Sequence, residues 1–100
     1  MPEHLLAIDQ GTSSTKCLLV DAAGRVTASG SAPLGERHPA PGWVDQNADE
    51  LWGSVRSAVA ACLDGHDPKS VAGVAISSQR ESCVIWDRRS GAALTPMLSW

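Results

Sequence analysis

The chain has 100 residues, 43% of them hydrophobic, and a formal net charge of -3. That length suits one small domain with a modest core, and the acidic balance excludes the electrostatic footprint of a nucleic-acid or anionic-membrane binder. No apolar stretch approaches the roughly 20 residues of a membrane span, the start "MPEHLLAIDQG" lacks the basic region of a signal peptide, and the spacing of Cys17, Cys62 and Cys83 supports neither a disulfide framework nor a zinc site. A cytoplasmic protein with reduced thiols is expected.

In chain order, "HLLAID" (4–9) reads as a buried strand. "QGTSST" (10–15) has turn chemistry, "KCLLVD" (16–21) is a second strand, and "AAGR" (22–25) is a tight reversal. "VTASGSAPL" (26–34) alternates loosely and fits a third, more exposed strand. Links this short make the three strands antiparallel neighbours. "GERHPAPGWVDQ" (35–46) is a surface loop that Trp43 and Val44 are expected to pin to the body.

The clearest helix follows. Asn47 is placed to cap it, with Glu50 three residues on. Leu51, Val55, Ala58, Val59 and Cys62 recur at helical spacing, and Gly65 supplies the stop, so the helix is expected over 48–63. "VAGVAIS" (71–77) is a buried strand, parallel to an earlier one because it follows a helix. "CVIWD" (83–87) reads as a strand, "RRSGAA" (88–93) as a hairpin turn and "LTPMLSW" as its partner. The order is β-β-β-α-β plus a hairpin. The apolar run that closes the sequence suggests the front piece of something longer.

Two segments carry chemistry. In "DQGTSSTK" (9–16) a glycine lets the backbone approach an anion, and hydroxyl side chains surround it. Asp9, at the strand end, could hold a hydrated Mg²⁺ that bridges phosphates. The segment is not a Walker A loop. Taken alone it is first of all an ordinary hairpin turn. In "SSQRESCVIWD" (77–87) an Arg–Glu pair enters an apolar run. Taken alone, that pair is a structural ion pair at a strand edge.

The combination resembles the phosphate-binding hairpin of the actin-like ATPase superfamily, and within it the FGGY carbohydrate kinases. "AIDQGTSSTKCLLVD" is similar to that family's opening motif and "PGWVDQNADELW" (41–52) to its next landmark. "GVAISSQRESCVIWDRRSGAALTPMLSW" (73–100) is similar to the third, in the form seen in glycerol kinases. The resemblance implies an α/β, RNase-H-like mixed sheet, left incomplete, with residues 1–100 forming the front part of the family's N-terminal domain.

It also implies a site. Asp9 matches the acid at the metal; Gly11, Thr12, Ser13, Ser14 and Lys16 match the positions at the ATP phosphates. Lys16 stands where the family usually carries Arg, so the bidentate fork is lost. Arg80, Glu81 and Trp100 match the positions that bind glycerol. Arg80 can donate and Glu81 accept hydrogen bonds from adjacent hydroxyls, and an indole face suits C–H groups. The implied reaction is Mg·ATP-dependent phosphorylation of a small polyol or sugar, glycerol first, in the full-length protein. The family's general base lies past residue 100, so no catalytic residue is assigned within this chain and the piece alone is expected to be inactive.

Pentulose kinases of the family carry Met–His where this chain has Arg80–Glu81, which favours glycerol. "SSQRES" departs from the commoner "TNQRET", and with Lys16 it leaves another FGGY substrate open. A non-catalytic nucleotide-binding piece and homo-oligomerisation of the full-length protein are also left open. A nuclease on the same fold would need clustered carboxylates and a basic face, which the sequence lacks. His4, His38 and His66 read as surface residues, Trp52 and Trp86 as packing, the cysteines as small core residues, and Asp45 and Asp49 as exposed or capping.

Overall fold

A computed structural model of the chain describes residues 3–99. Three strands open it: β1 (His4–Gln10), β2 (Ser14–Asp21) and β3 (Val26–Pro33). They pair antiparallel in sequence order. The β2–β3 reversal is closed by Asp21, whose Oδ1 accepts from Ala23 N and Arg25 N at 2.9 Å each. Gly24 completes that turn at φ 81, a conformation that costs glycine little.

Helix α1 (Ala48–Leu63) follows. Asn47 Oδ1 accepts from Glu50 N at 3.0 Å, and Asp49 and Glu50 lie in the first turn, where the helix dipole favours negative charge. Gly65, at φ 76, ends the helix as expected. A 3₁₀ turn (Pro68–Ser70) leads into β5 (Val71–Ser77), which runs parallel to β1. The sheet order is β3-β2-β1-β5.

Strand alternation decides which face α1 covers. Leu6 and Ile8 on β1, Cys17 and Leu19 on β2, and Ala32 on β3 point one way and form the core with Ala58 and Cys62 of the helix. Gly30 makes the close approach possible. A Cβ there would overlap the backbone of Ala58 and Cys62. Ser54, unforeseen as a helix-face residue, is buried because its Oγ shares a 2.7 Å hydrogen bond with Thr15 Oγ1.

Several expectations need correction. The 35–46 segment is not only a surface loop. It ends in a two-residue strand, β4 (Asp45–Gln46), that is buried and pairs with β6 (Met97–Leu98). Nor does Trp43 pin it, being 66% exposed. The β4–β6 pairing and Gln46, whose Nε2 donates to Thr12 O at 2.7 Å, do so, while Asp45 closes the loop on itself by exchanging backbone hydrogen bonds with Arg37 and accepting Arg37 Nε at 3.0 Å. A Pro41–Gly42 turn, with Gly42 at φ 79 and Trp43 N bonded to Ala40 O, reverses the loop between them.

The 83–87 strand does not form as a regular element. The chain reverses there, with bridges at Trp86–Ala93 and Cys83–Leu98. Side chains interrupt the ladder: Asp87 Oδ1 accepts Arg89 N and Ser90 N, and Thr95 Oγ1 accepts Ile85 N.

Trp52 and Trp86 are exposed rather than packed, and Cys83 is exposed, unlike Cys17 and Cys62. Trp52 flanks an apolar groove between α1 and β5 that also takes in Leu6, Ile8, Val74 and Ile76. No described element covers that groove. His4 is half-buried, with Nδ1 3.2 Å from Ser70 Oγ.

Candidate active site

The open face of the sheet, opposite α1, carries the first group of candidate residues. Asp9 is exposed near the end of β1, directly across from Lys16 on β2 and beside Ser77 on β5. The three rim a hollow of about 310 Å³ floored by Ala7, Leu18 and Ala75. A carboxylate, an ammonium and a hydroxyl thus share one concave patch, at the C-terminal ends of the parallel strands. Ligands collect at such strand ends in α/β sheets.

The hairpin loop Gly11–Ser13 sits at the same end. Its three carbonyls are all engaged by protein donors. Gly11 O accepts Gln10 Nε2 at 2.6 Å and Gln79 Nε2 at 3.2 Å. Thr12 O accepts Gln46 Nε2 at 2.7 Å. Ser13 O accepts Leu34 N at 3.0 Å. In a trans peptide the N–H points away from the C=O. The N–H groups of Thr12, Ser13 and Ser14 therefore face away from those donors, the polarity an anion site requires.

Arg80 and Glu81 lie in the exposed segment after β5. Glu81 has φ 59, the only positive value among the described non-glycine residues. A left-handed conformation costs a side-chain-bearing residue of order 1–3 kcal/mol and persists only where the surroundings over-determine it. Those surroundings are the flanking residues. Gln79 binds the hairpin, and Ser82 Oγ donates to Gln79 Oε1 at 2.9 Å. The structure thus brings the 79–82 segment against the phosphate-loop candidate, although some seventy residues separate them in sequence.

Trp100 lies outside the described residues. Gln10, Gln46 and Gln79 escaped the sequence reading. Gln46 is fully buried and Gln10 nearly so. Glutamine has no sequence signature of burial, and the only available signal was proximity to the two motifs.

The donor set bears on a metal. Among the described residues there is no cluster of three His, Cys, Asp or Glu groups. A lone carboxylate fits a magnesium ion that keeps most of its water and binds chiefly through phosphate oxygens. It does not fit an all-protein cation cage.

The N-terminal domain profile of the FGGY family of carbohydrate kinases matches residues 4–100. The chain belongs to that family. It is 36% identical over 102 residues to a glycerol kinase of Bacillus mycoides (strain KBAB4), covering 100% of this chain and 21% of that protein. It superposes on a xyloylose kinase from Brucella ovis with a TM-score of 0.88, at 29% identity, covering 97% of this chain and 21% of the other. A Plasmodium falciparum glycerol kinase solved with ADP gives a TM-score of 0.83 at 25% identity, covering 97% and 20%. This FGGY chain spans about a fifth of the length of the relatives it matches. Its fold is the RNase-H-like, actin-like ATPase sheet expected from the motifs, present here in part.

Proposed function

We propose that this FGGY chain forms the phosphate hairpin and one wall of the acceptor pocket of an ATP-dependent kinase. The acceptor is a small polyol or sugar, glycerol first. The observation that carries the reading is the union of two segments: Gln79 ties the Arg80–Glu81 loop to the carbonyl of Gly11 in the hairpin. A phosphoryl donor and an acceptor hydroxyl must meet in line, so their two holders have to be neighbours.

In this reading the amides and hydroxyls of Thr12, Ser13 and Ser14 hold nucleotide phosphate, with Gly11 giving the backbone room. Lys16 adds a positive charge across from Asp9. Arg80 and Glu81 grip adjacent hydroxyls of the acceptor, and Trp100 offers a face to its carbons. Magnesium, held through water at Asp9, would neutralise phosphate charge. The carboxylate that takes the acceptor proton is expected past residue 100, so residues 1–100 alone should phosphorylate nothing above blank. No described helix is long and apolar enough to cross a membrane. A cytoplasmic location suits an enzyme that uses ATP.

Glycerol is favoured by the Arg80–Glu81 pair and by the glycerol kinases at 36% identity. A pentulose is the second reading, because xylulose kinases superpose as closely as glycerol kinase does. The deciding experiment is a coupled ADP-release assay on the full-length protein with glycerol, xylulose and gluconate. Glycerol should give the highest kcat/KM. Preference for xylulose would move the assignment within the family, and no turnover on any polyol or sugar would end it.

A further inference from the structure

We infer that Gln79 is a positioning residue that sets the distance between the phosphate hairpin and the acceptor loop, an inference that rests on the kinase reading above. Gln79 stands immediately before Arg80 and reaches the hairpin through its side-chain amide. That amide is used on both sides. Its Nε2 donates to Gln46 Oε1 at 2.7 Å and Gly11 O at 3.2 Å. Its Oε1 accepts Ser82 Oγ at 2.9 Å and Ser99 Oγ at 3.3 Å.

The orientation of the amide follows from fixed partners. Gln46 must turn its Nε2 to the backbone carbonyls of Thr12 and Gly35, which only accept. Its Oε1 therefore faces Gln79 and demands a donor. Gly11 O demands a donor too. Only the Nε2 side of Gln79 meets both demands, which leaves Oε1 for the two serine hydroxyls. A residue of another shape or polarity cannot serve both sets.

The result is a rigid polar link. On one side it holds the hairpin, directly at Gly11 and through Gln46 at Thr12. On the other it holds the turn that carries Arg80 and left-handed Glu81, and the chain at Ser99. A shift in this link moves acceptor relative to donor and leaves each binding group intact. Its signature is therefore a loss in kcat without a matching change in either KM.

The test is steady-state kinetics of the full-length protein carrying Gln79→Met, at a temperature where circular dichroism shows the variant folded. We expect kcat to fall about a hundredfold, with KM for Mg·ATP and for glycerol each within about threefold of wild type. Ser82→Ala, which removes one of two donors to Oε1 from a partly exposed turn, should lower kcat about tenfold with the same pattern. Wild-type kcat in Gln79→Met, or a loss carried by KM, overturns the inference. If Gln79→Met does not fold, Ser82→Ala decides alone, and unchanged kcat overturns the inference. An active wild type with insensitive variants rejects only this inference. A wild type inactive on every polyol and sugar rejects the kinase reading and this inference together.

Discussion

Asp9 on β1 stands directly across from Lys16 on β2, two charged side chains on the sheet face that α1 leaves open. The pairing places a cation beside the residue proposed to hold the metal. We expect Asp9→Asn to lower kcat/KM of the full-length enzyme about a hundredfold or more, because it removes charge stabilisation of the transferred group. Lys16→Ala should act differently, raising KM for Mg·ATP about tenfold with a salt-dependent magnitude. Steady-state kinetics at two ionic strengths separates the two roles. Equal loss in both variants would contradict them.

Gly30 and the Ala58–Cys62 backbone are in contact, with no room for a side chain between strand and helix. Gly30→Ala should cost about 2–3 kcal/mol of stability by forcing α1 off the sheet. The urea midpoint of the variant measures it. Gly35→Ala is the control, because a Cβ there meets nothing within 4 Å, and its midpoint should stay close to wild type.

Burial pushes the Cys17 thiol from 9.0 up to about 12, with the neighbouring Cys62 adding to the shift. The folded state thus holds its proton more tightly than the unfolded chain does. That contribution is fully present below about pH 9 and is lost as pH rises toward 12. Stability should decline over that alkaline window, and the decline should shrink in Cys17→Ala. Thiol labelling at neutral pH should modify exposed Cys83 first, with Cys17 and Cys62 protected until the domain unfolds.

Asp87 has its carboxyl held below the usual range, first by the Ser90 backbone N–H and then by that of Arg89. A depressed acid contributes its stabilisation above the unfolded value and loses it as pH falls through the folded one. The 87–90 turn should therefore survive mild acid. An NMR titration should show the Arg89 and Ser90 amide signals moving together, with a midpoint below 3.8. A midpoint at or above that value would contradict the turn geometry.

Val74 and Ile76, on edge strand β5, are 56% and 71% exposed beside the apolar groove. Residues 1–100 alone should self-associate through this edge. Light scattering should rise with concentration, and Ile76→Lys should suppress it without altering far-UV circular dichroism. Among the described residues the exposed apolar edge is β5, because β6 is only two residues long and pairs with β4.

Much of the fold was legible because its signals are local. Asn47, Glu50 and Gly65 bracket α1 at residues 48–63, and each acts within one turn of its own position. The β1–β2–β3 meander follows from links too short for any crossover, and parallel β5 follows from the helix before it. Nothing comparable marks β4, where only pairing with β6 makes two residues a strand. Nor do three exposed tryptophans announce themselves, since burial depends on what packs over them.

The amino-acid sequence by itself determined β1, β2, β3, α1 and β5, their order and the family. Capping, turn chemistry and side-chain periodicity act over a few neighbours, and motif spacing is a property of the chain. Tertiary structure alone decided that Asp9 and Lys16 share the face opposite α1. It also decided that Gln46 is buried and that Gln79 joins the Arg80–Glu81 loop to the hairpin. A hydrogen bond between residues 33 and 68 positions apart has no local signal, because its partners meet only after the sheet has closed.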